Sequence, residues 1–281
     1  MKTKALFHLN IINNDKANVY IILPKINIVD FGILTASLEF LNKYERVILM
    51  CSLFEYSFYQ LLINKSPTFA EYKSKIDIDI INSSKFTEIQ SKECIIIALR
   101  ENFLIPENNK KALLCSPYEN SDILFNDFKD TLTITNRTFL KHILEFMQIK
   151  EINTLRGIDL SPELVLKNSS LVSGLKDKKY HVIVLNSFIS TIKLTNYLKK
   201  HRLKKQLIII SQSKINVTDP KLFYFKDYNF LDFIAFELQA ESIYCSASEQ
   251  YKNVIRNLKI NLSLTTLYKD FKLILDDITE P

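Results

Sequence analysis

The sequence predicts an α/β protein of two Rossmann-like domains, broadly residues 1–172 and 173–281, each with a mostly parallel sheet and facing the other across a cleft. Short runs rich in Val, Ile and Leu alternate with stretches whose apolar residues recur at helical spacing, which is the pattern of βαβ units. A strand–helix–strand unit also occurs twice at nearly the same length. Asn18-Val19-Tyr20-Ile21-Ile22-Leu23 leads through a helix to Val47-Ile48-Leu49-Met50-Cys51-Ser52, and His181-Val182-Ile183-Val184-Leu185-Asn186-Ser187 leads through another to Leu207-Ile208-Ile209-Ile210-Ser211. Finally, 281 residues are enough for two modest cores.

The elements follow in order. Val19–Leu23 reads as a strand, Phe31–Leu41 as a helix by its apolar spacing, and Val47–Met50 as the next strand. Ser52–Ile63 is helical and strongly aromatic, a core helix or an exposed face. Ile76–Ile81 is a strand with Asp77 and Asp79 on its open side, and Cys94–Leu99 and Ala112–Cys115 are strands bounded by polar turns. Asn136 caps a helix over Thr138–Met147. Between Gly157 and Gly174 the pattern weakens, which predicts a linker. Beyond it come a strand at Tyr180–Leu185, a helix at Ile192–Lys200 and strands at Leu207–Ile210 and Leu222–Phe225. A helix at Asp227–Leu238, a strand at Ser242–Cys245 and a closing helix at Asp270–Ile278 complete the chain.

Composition narrows the chemistry. With 47% hydrophobic and 24% charged residues the chain has the balance of a folded globular protein. Only three glycines are present, Gly32, Gly157 and Gly174, so there is neither a GxGxxG nor a GxxxxGK[ST] phosphate loop. The net charge of +6 is mild and the lysines are scattered, so no nucleic-acid partner is expected. The densest basic run, Lys199-Lys200-His201-Arg202 with Lys204-Lys205, sits at a predicted helix end, where cations meet the helix dipole. It also leaves a peripheral contact with an acidic membrane surface open. Cys51, Cys94, Cys115 and Cys245 fall at strand-like runs without CxxC spacing and read as buried reduced thiols. Met1–Asn14 lacks a signal peptide's apolar region and no stretch reaches spanning length, so a cytoplasmic protein is expected.

Three residue sets are candidates for chemistry. His8, His142, His181 and His201 share no metal-ligand spacing, so neither a metal nor another cofactor is expected. Asp122 and Asp127 (with Asp130) cluster in the first half, where a carboxylate could act as general base on an acceptor hydroxyl; a solvated turn explains the same cluster. Asn186, Ser187, Ser211, Ser213, Ser246 and Ser248 follow predicted strand ends. Hydroxyls and free backbone N–H groups there bind phosphate or carboxylate without glycine, and equally serve as helix caps.

The run from Ser211-Gln212-Ser213-Lys214 through Phe225-Lys226-Asp227-Tyr228-Asn229-Phe230-Leu231-Asp232 to Ser242-Ile243-Tyr244-Cys245-Ser246-Ala247-Ser248 resembles the nucleotide-sugar half of GT-B glycosyltransferases. It is most similar to bacterial sialyltransferases of glycosyltransferase family 52 and the polysialyltransferases. The resemblance covers about the last third of the chain. It implies a metal-independent, inverting transfer of sialic acid from CMP-sialic acid to a glycan acceptor, with the acceptor on the first domain and the donor on the second. In those families a serine-rich strand end and a His-Pro elbow hold the donor's phosphate and sugar. Ser246 and Ser248 match the former by position, and Ser211, Ser213 and Lys214 occupy the elbow. His-Pro itself is absent, as is an Asp/Glu-Gly pair in the first half, so an inactive relative fits the same residues. Two other classes remain open. Uroporphyrinogen-III synthase shares paired α/β halves with strand-end serines, and a non-catalytic scaffold would use Phe54-Glu55-Tyr56-Ser57-Phe58-Tyr59 as an exposed face.

Overall fold

The structure is a computed structural model that describes residues 9–24, 31–81, 88–89, 92–99, 111–117, 136–150, 160–172, 179–185, 188–211, 213–226, 228–245 and 268–280. The chain divides into two compact units, Met1–Ile158 and Asp159–Pro281. Both contain an all-parallel sheet, the α/β architecture expected from the sequence.

In the first unit the strands are β1 (Asn18–Ile22), β2 (Arg46–Cys51), β3 (Ile76–Ile80), β4 (Cys94–Ala98) and β5 (Leu113–Cys115), ordered β3-β2-β1-β4-β5. β2 and β4 are almost wholly buried, as their unbroken apolar runs require of a parallel sheet covered on both faces. α1 (Phe31–Glu39) lies between β1 and β2, α2 (Leu53–Lys65) between β2 and β3, and α3 (Asn136–Phe146) follows β5. The end of α3 wraps into the left-handed region at Gln148 (φ 57°), where Ile149 N–H donates to the Leu144 carbonyl at 2.9 Å. This closure normally takes glycine. Here Lys43 Nζ secures it from outside by donating to the Met147 carbonyl at 2.9 Å. α2 is a mixed case. Phe58 and Tyr59 are core, whereas Leu53 is 70% exposed and Phe54 and Tyr56 are half-buried.

The second unit repeats the order with β6 (Tyr180–Leu185), β7 (Gln206–Ser211), β8 (Leu222–Phe225) and β9 (Ser242–Cys245), arranged β8-β7-β6-β9. All six residues of β6 are buried, so it is the central strand. The repeat read from the sequence is therefore topological: β1 and β6 each hold the strand that follows them on one side and a later strand on the other. One face of this sheet packs Ile183, Leu185, Leu207 and Ile209 against Leu194 and Leu198 of α5 (Phe188–Leu198) and Ile274, Leu275 and Ile278 of α7 (Phe271–Ile278). Also in this unit is α6 (Phe230–Gln239), which starts later than expected because Asn229, not a residue near Asp227, is its cap. The Asn229 side chain accepts from Asp232 N–H at 2.9 Å, and the Asp232 carboxylate accepts from Asn229 N–H at 3.3 Å.

The same carboxylate moves the domain boundary. Asp232 is buried and accepts from Ser169 Oγ at 2.7 Å, Ser170 N–H at 3.0 Å and Leu171 N–H at 3.4 Å. The expected linker therefore contains α4 (Pro162–Asn168) and a turn bound to the second unit, and the division falls after Ile158 instead of after residue 172. Ser161-Pro162-Glu163, a cap followed by proline at the first helical position, was the local signal for α4.

Asp232→Ala is expected to destabilise the second unit by about 3 kcal/mol, since it removes a capping box and leaves buried donors without an acceptor. Urea denaturation reads the loss, and limited proteolysis should open the chain around residues 160–172. An unchanged midpoint would show the anchor to be redundant.

Candidate functional site

Parallel register brings the carboxyl ends of three strands of the second unit together. Leu185 of β6 lies opposite Ser211 of β7, and Val184 opposite Cys245 of β9. Because β6 is followed on one side by β7 and joined on the other by β9, the edge between β6 and β9 is a topological switch point, where open α/β sheets bind ligands. From these ends the chain runs to Asn186 and Ser187, to Ser213 and Lys214, and to Ser246 and Ser248. Asn186, Ser187, Ser246 and Ser248 lie outside the described residues, as do Asp122 and Asp127.

The three described candidates have distinct places. Ser211 is buried at the last position of β7, with its Oγ 2.9 Å from Thr191 Oγ1 of α5 and accepting from Ser213 N–H at 3.1 Å. Tyr224 of β8 donates its hydroxyl to the Ser211 carbonyl at 2.9 Å. Ser211 thus braces the elbow against the helix and the neighbouring strand. Beyond it Ser213 is half-buried and Lys214 exposed, so the ammonium stands in solvent beside the edge. α5 begins at Phe188, directly after the end of β6, and points its positive N-terminal end the same way. The described residues of the elbow therefore bring a hydroxyl and one cation to this edge, groups suited to an anionic ligand.

The carboxyl edge of the first sheet holds a carboxylate that the sequence reading passed over. Glu55, in the first turn of α2 just past β2, is 3% exposed and accepts from Ser52 Oγ at 2.9 Å. Burial pushes its pKa up to about 7, against which the Ser52 hydrogen bonds act only in part. The neighbouring Cys51 thiol is lifted to about 12 by burial, then by Glu55, which leaves it unreactive. Serine three residues ahead of glutamate after a strand is a helix-start signature, the signal that would have found Glu55. Such an acid is divided between its two forms near neutral pH, as a general base must be.

The amino edge of the second sheet is chemically rich but closed. His181 Nδ1 lies 2.7 Å from Ser242 Oγ, and the Glu241 carboxylate lies 3.0 Å from Nε2. The sequence Ser–His–Glu imitates a hydrolase relay, yet His181 and Ser242 are fully buried, so no substrate reaches the hydroxyl. The Glu241 oxygen is close to Nε2 but off the N–H axis, so the contact is not an aligned hydrogen bond. Glu241 continues to Lys205 (3.3 Å), Lys205 to Asp277 of α7 (3.5 Å), and Asp277 to Lys269 (3.3 Å). This chain of charges ties the closing helix to the sheet. A second buried acid, Glu237 of α6, accepts from the Tyr268 hydroxyl, and burial raises its pKa well above 4.5. Among the described residues no group of His, Cys, Asp and Glu is arranged to hold a metal ion.

Two of the buried titratable groups, His181 and Glu55, give opposite pH dependence. His181 has its pKa lowered from 6.5 by burial, with Glu241 opposing, so its contribution is complete above 6.5 and is lost as pH falls. Glu55 has its pKa raised, so its contribution is complete below 4.5 and is lost as pH rises through about 7, by an amount on the order of 3 kcal/mol. Equilibrium denaturation across pH 4.5–7 should therefore show His181→Gln removing an acid-side loss and Glu55→Gln removing the loss toward neutral. Slopes identical to wild type in both variants would contradict these assignments.

No protein family's sequence profile matches this chain, and no curated protein matches it. Among solved structures it is similar to the UDP-GlcNAc 2-epimerase of Methanocaldococcus jannaschii at 12% identity and a TM-score of 0.34, over 84% of this chain and 80% of that one. A structure of that epimerase in complex with UDP-GlcNAc and UDP gives 13% identity, a TM-score of 0.34, and coverage of 86% and 82%. A glycosyl transferase of family 9 from Veillonella parvula DSM 2008 gives 9% identity, a TM-score of 0.34, and coverage of 83% and 75%. Similarity at this level fixes neither a family nor an activity for the chain.

Proposed function

We propose that the second unit binds a nucleotide-sugar donor at the carboxyl ends of β6, β7 and β9, and that the chain is a glycosyltransferase-like protein. One observation carries the reading: the parallel order β7-β6-β9 sets three strand ends side by side at a switch point, and each runs into small polar residues. A donor of this class presents anionic phosphate. Lys214, the hydroxyls of Ser213, Ser246 and Ser248, the side chains of Asn186 and Ser187 and the α5 N-terminus would supply positive charge and hydrogen-bond donors to it. The finer assignment, CMP-sialic acid as donor and a glycan as acceptor, follows the resemblance of the last third of the chain to family 52 sialyltransferases and polysialyltransferases.

In an inverting transfer a carboxylate takes the proton of the acceptor hydroxyl while the oxygen forms its bond to the anomeric carbon. The bond from that carbon to the phosphate breaks, and the nucleotide leaves with the electron pair. Asp127 or Asp122 is the base proposed from the sequence. Charge on the departing phosphate falls to Lys214 and the strand-end donors, whose effect is strongest where water is excluded.

Calorimetry with CMP and UDP tests the reading. CMP is expected to bind the wild-type protein and raise its Tm, because a ligand of the native state stabilises it. Ser246→Ala/Ser248→Ala and Lys214→Ala should each weaken binding about tenfold, the loss of one charge-assisted hydrogen bond or its equivalent. Binding with no transfer to any glycan acceptor would identify a degenerate relative. Absence of nucleotide binding, or equal binding by the variants, would remove the site.

A further inference from the structure

Helix α5 leaves one face bare. Ile189, Ile192, Lys193, Asn196, Lys199 and Lys200 are all exposed, and at the helical period they fall within an arc of about 120°. Lys199 N–H continues the ladder to Thr195 at 3.1 Å, so the lysines extend the same face. The opposite side, Leu194 and Leu198, is core. Ile189 is 66% exposed and Ile192 43%, far more than an isoleucine in a covered helix position. α7 packs on the same sheet face, with Tyr197 and Thr279 hydroxyls 3.0 Å apart, so its exposed side looks the same way as that of α5. It adds Lys272 and Leu273, the latter 56% exposed.

The charge on this layer is lopsided. Lys193, Lys199, Lys200, Arg202 and Lys272 are exposed, against the exposed carboxylates Asp270, Asp276 and Glu280. Lys204, Lys205 and Lys221 are not part of the surplus: Lys204 Nζ donates to the Asp276 carbonyl, Lys205 pairs with Glu241 and Asp277, and Lys221 Nζ donates to the Leu203 and Lys204 carbonyls. Lys199, Lys200 and Arg202 make no ion pair among the described residues. His201 is stacked on Tyr197 at 4.2 Å between centroids, which fixes the end of the helix and hence the position of the lysines.

We propose that the outer face of α5, with the exposed side of α7, docks on an anionic lipid bilayer. Apolar side chains flanked by lysines on one face of a helix are the composition of an interfacial helix, with isoleucines entering the acyl boundary and ammonium groups in the headgroup layer. Nucleic acid would satisfy the cations and leave the isoleucines in water. The cations are mostly lysines, flexible point charges that suit a diffuse anionic surface, rather than the arginine forks that select fixed carboxylates or phosphates. The proposal is independent of the nucleotide site.

Vesicle flotation of the full chain tests it, comparing phosphatidylcholine vesicles with vesicles that also contain phosphatidylglycerol. The wild-type protein is expected to float with the anionic vesicles and not the neutral ones, and to dissociate as salt is raised. One cation near such a surface changes binding about fivefold, so Lys199→Glu/Lys200→Glu should weaken it by more than tenfold. Ile189→Ser/Ile192→Ser should weaken it while leaving the weak salt-sensitive attraction, and near-wild-type thermal melting checks that both variants are folded. No flotation of wild type, equal flotation with neutral vesicles, or full flotation of both variants would overturn the proposal. Binding to heparin or duplex DNA without binding to vesicles would overturn it as well.

Discussion

A central strand buried on both faces governs the second unit. β6 has every residue out of water, so its backbone N–H and C=O groups must find partners in neighbouring strands and its side chains must be covered by helices above and below. Parallel pairing meets the first need only if the chain crosses back over the sheet between strands, and the crossovers meet the second. The register that follows is rigid, because a slip of one residue would turn every side chain of β6 to the other face. It sets the ends Leu185, Ser211 and Cys245 side by side. The candidate site is thus a consequence of how the core closes.

The scarcity of glycine shapes how this chain makes its turns. Where a helix end needs a left-handed residue it uses Gln148, secured by Lys43. Where a strand gives way to an elbow it uses Ser211, whose hydroxyl holds Ser213 N–H and meets Thr191. Side-chain hydrogen bonds here do what backbone freedom does elsewhere. Such a turn is stiffer than a glycine loop and keeps side chains at the edge, so a ligand there would meet hydroxyls and an ammonium as well as bare backbone.

The two edges of the second sheet divide the labour. At the amino edge His181, Ser242, Glu241, Lys205, Asp277 and Lys269 form a continuous polar chain that fastens α7 to the sheet. At the carboxyl edge the described polar groups are fewer, and Lys214 is left to solvent. The described polar groups thus differ between the two edges: they are linked to one another at the amino edge and open to solvent at Lys214 on the carboxyl edge.

The linear sequence determined the architecture, because periodicity is local. Runs such as Leu207–Ile210 have no polar alternation, are short and mostly β-branched, and so read as strands buried on both faces, and the repeated strand–helix–strand spacing carried over into two sheets of matching order. It also identified which residues follow the strand ends, since that is a matter of adjacency along the chain. Tertiary structure decided what depends on contacts across many residues. Asp232 reaches Ser169 over 63 positions, a separation at which no pattern in either segment reveals the partner, and so α4 joined the second unit. The partners of Ser211 were equally out of reach of the sequence: only the packing of α5 and β8 beside β7 brings Thr191 to its hydroxyl and Tyr224 to its carbonyl. Glu55 looked like an ordinary helix-start glutamate, and only the burial of α2 against the sheet set its pKa near neutrality, because desolvation is a property of everything packed around a group.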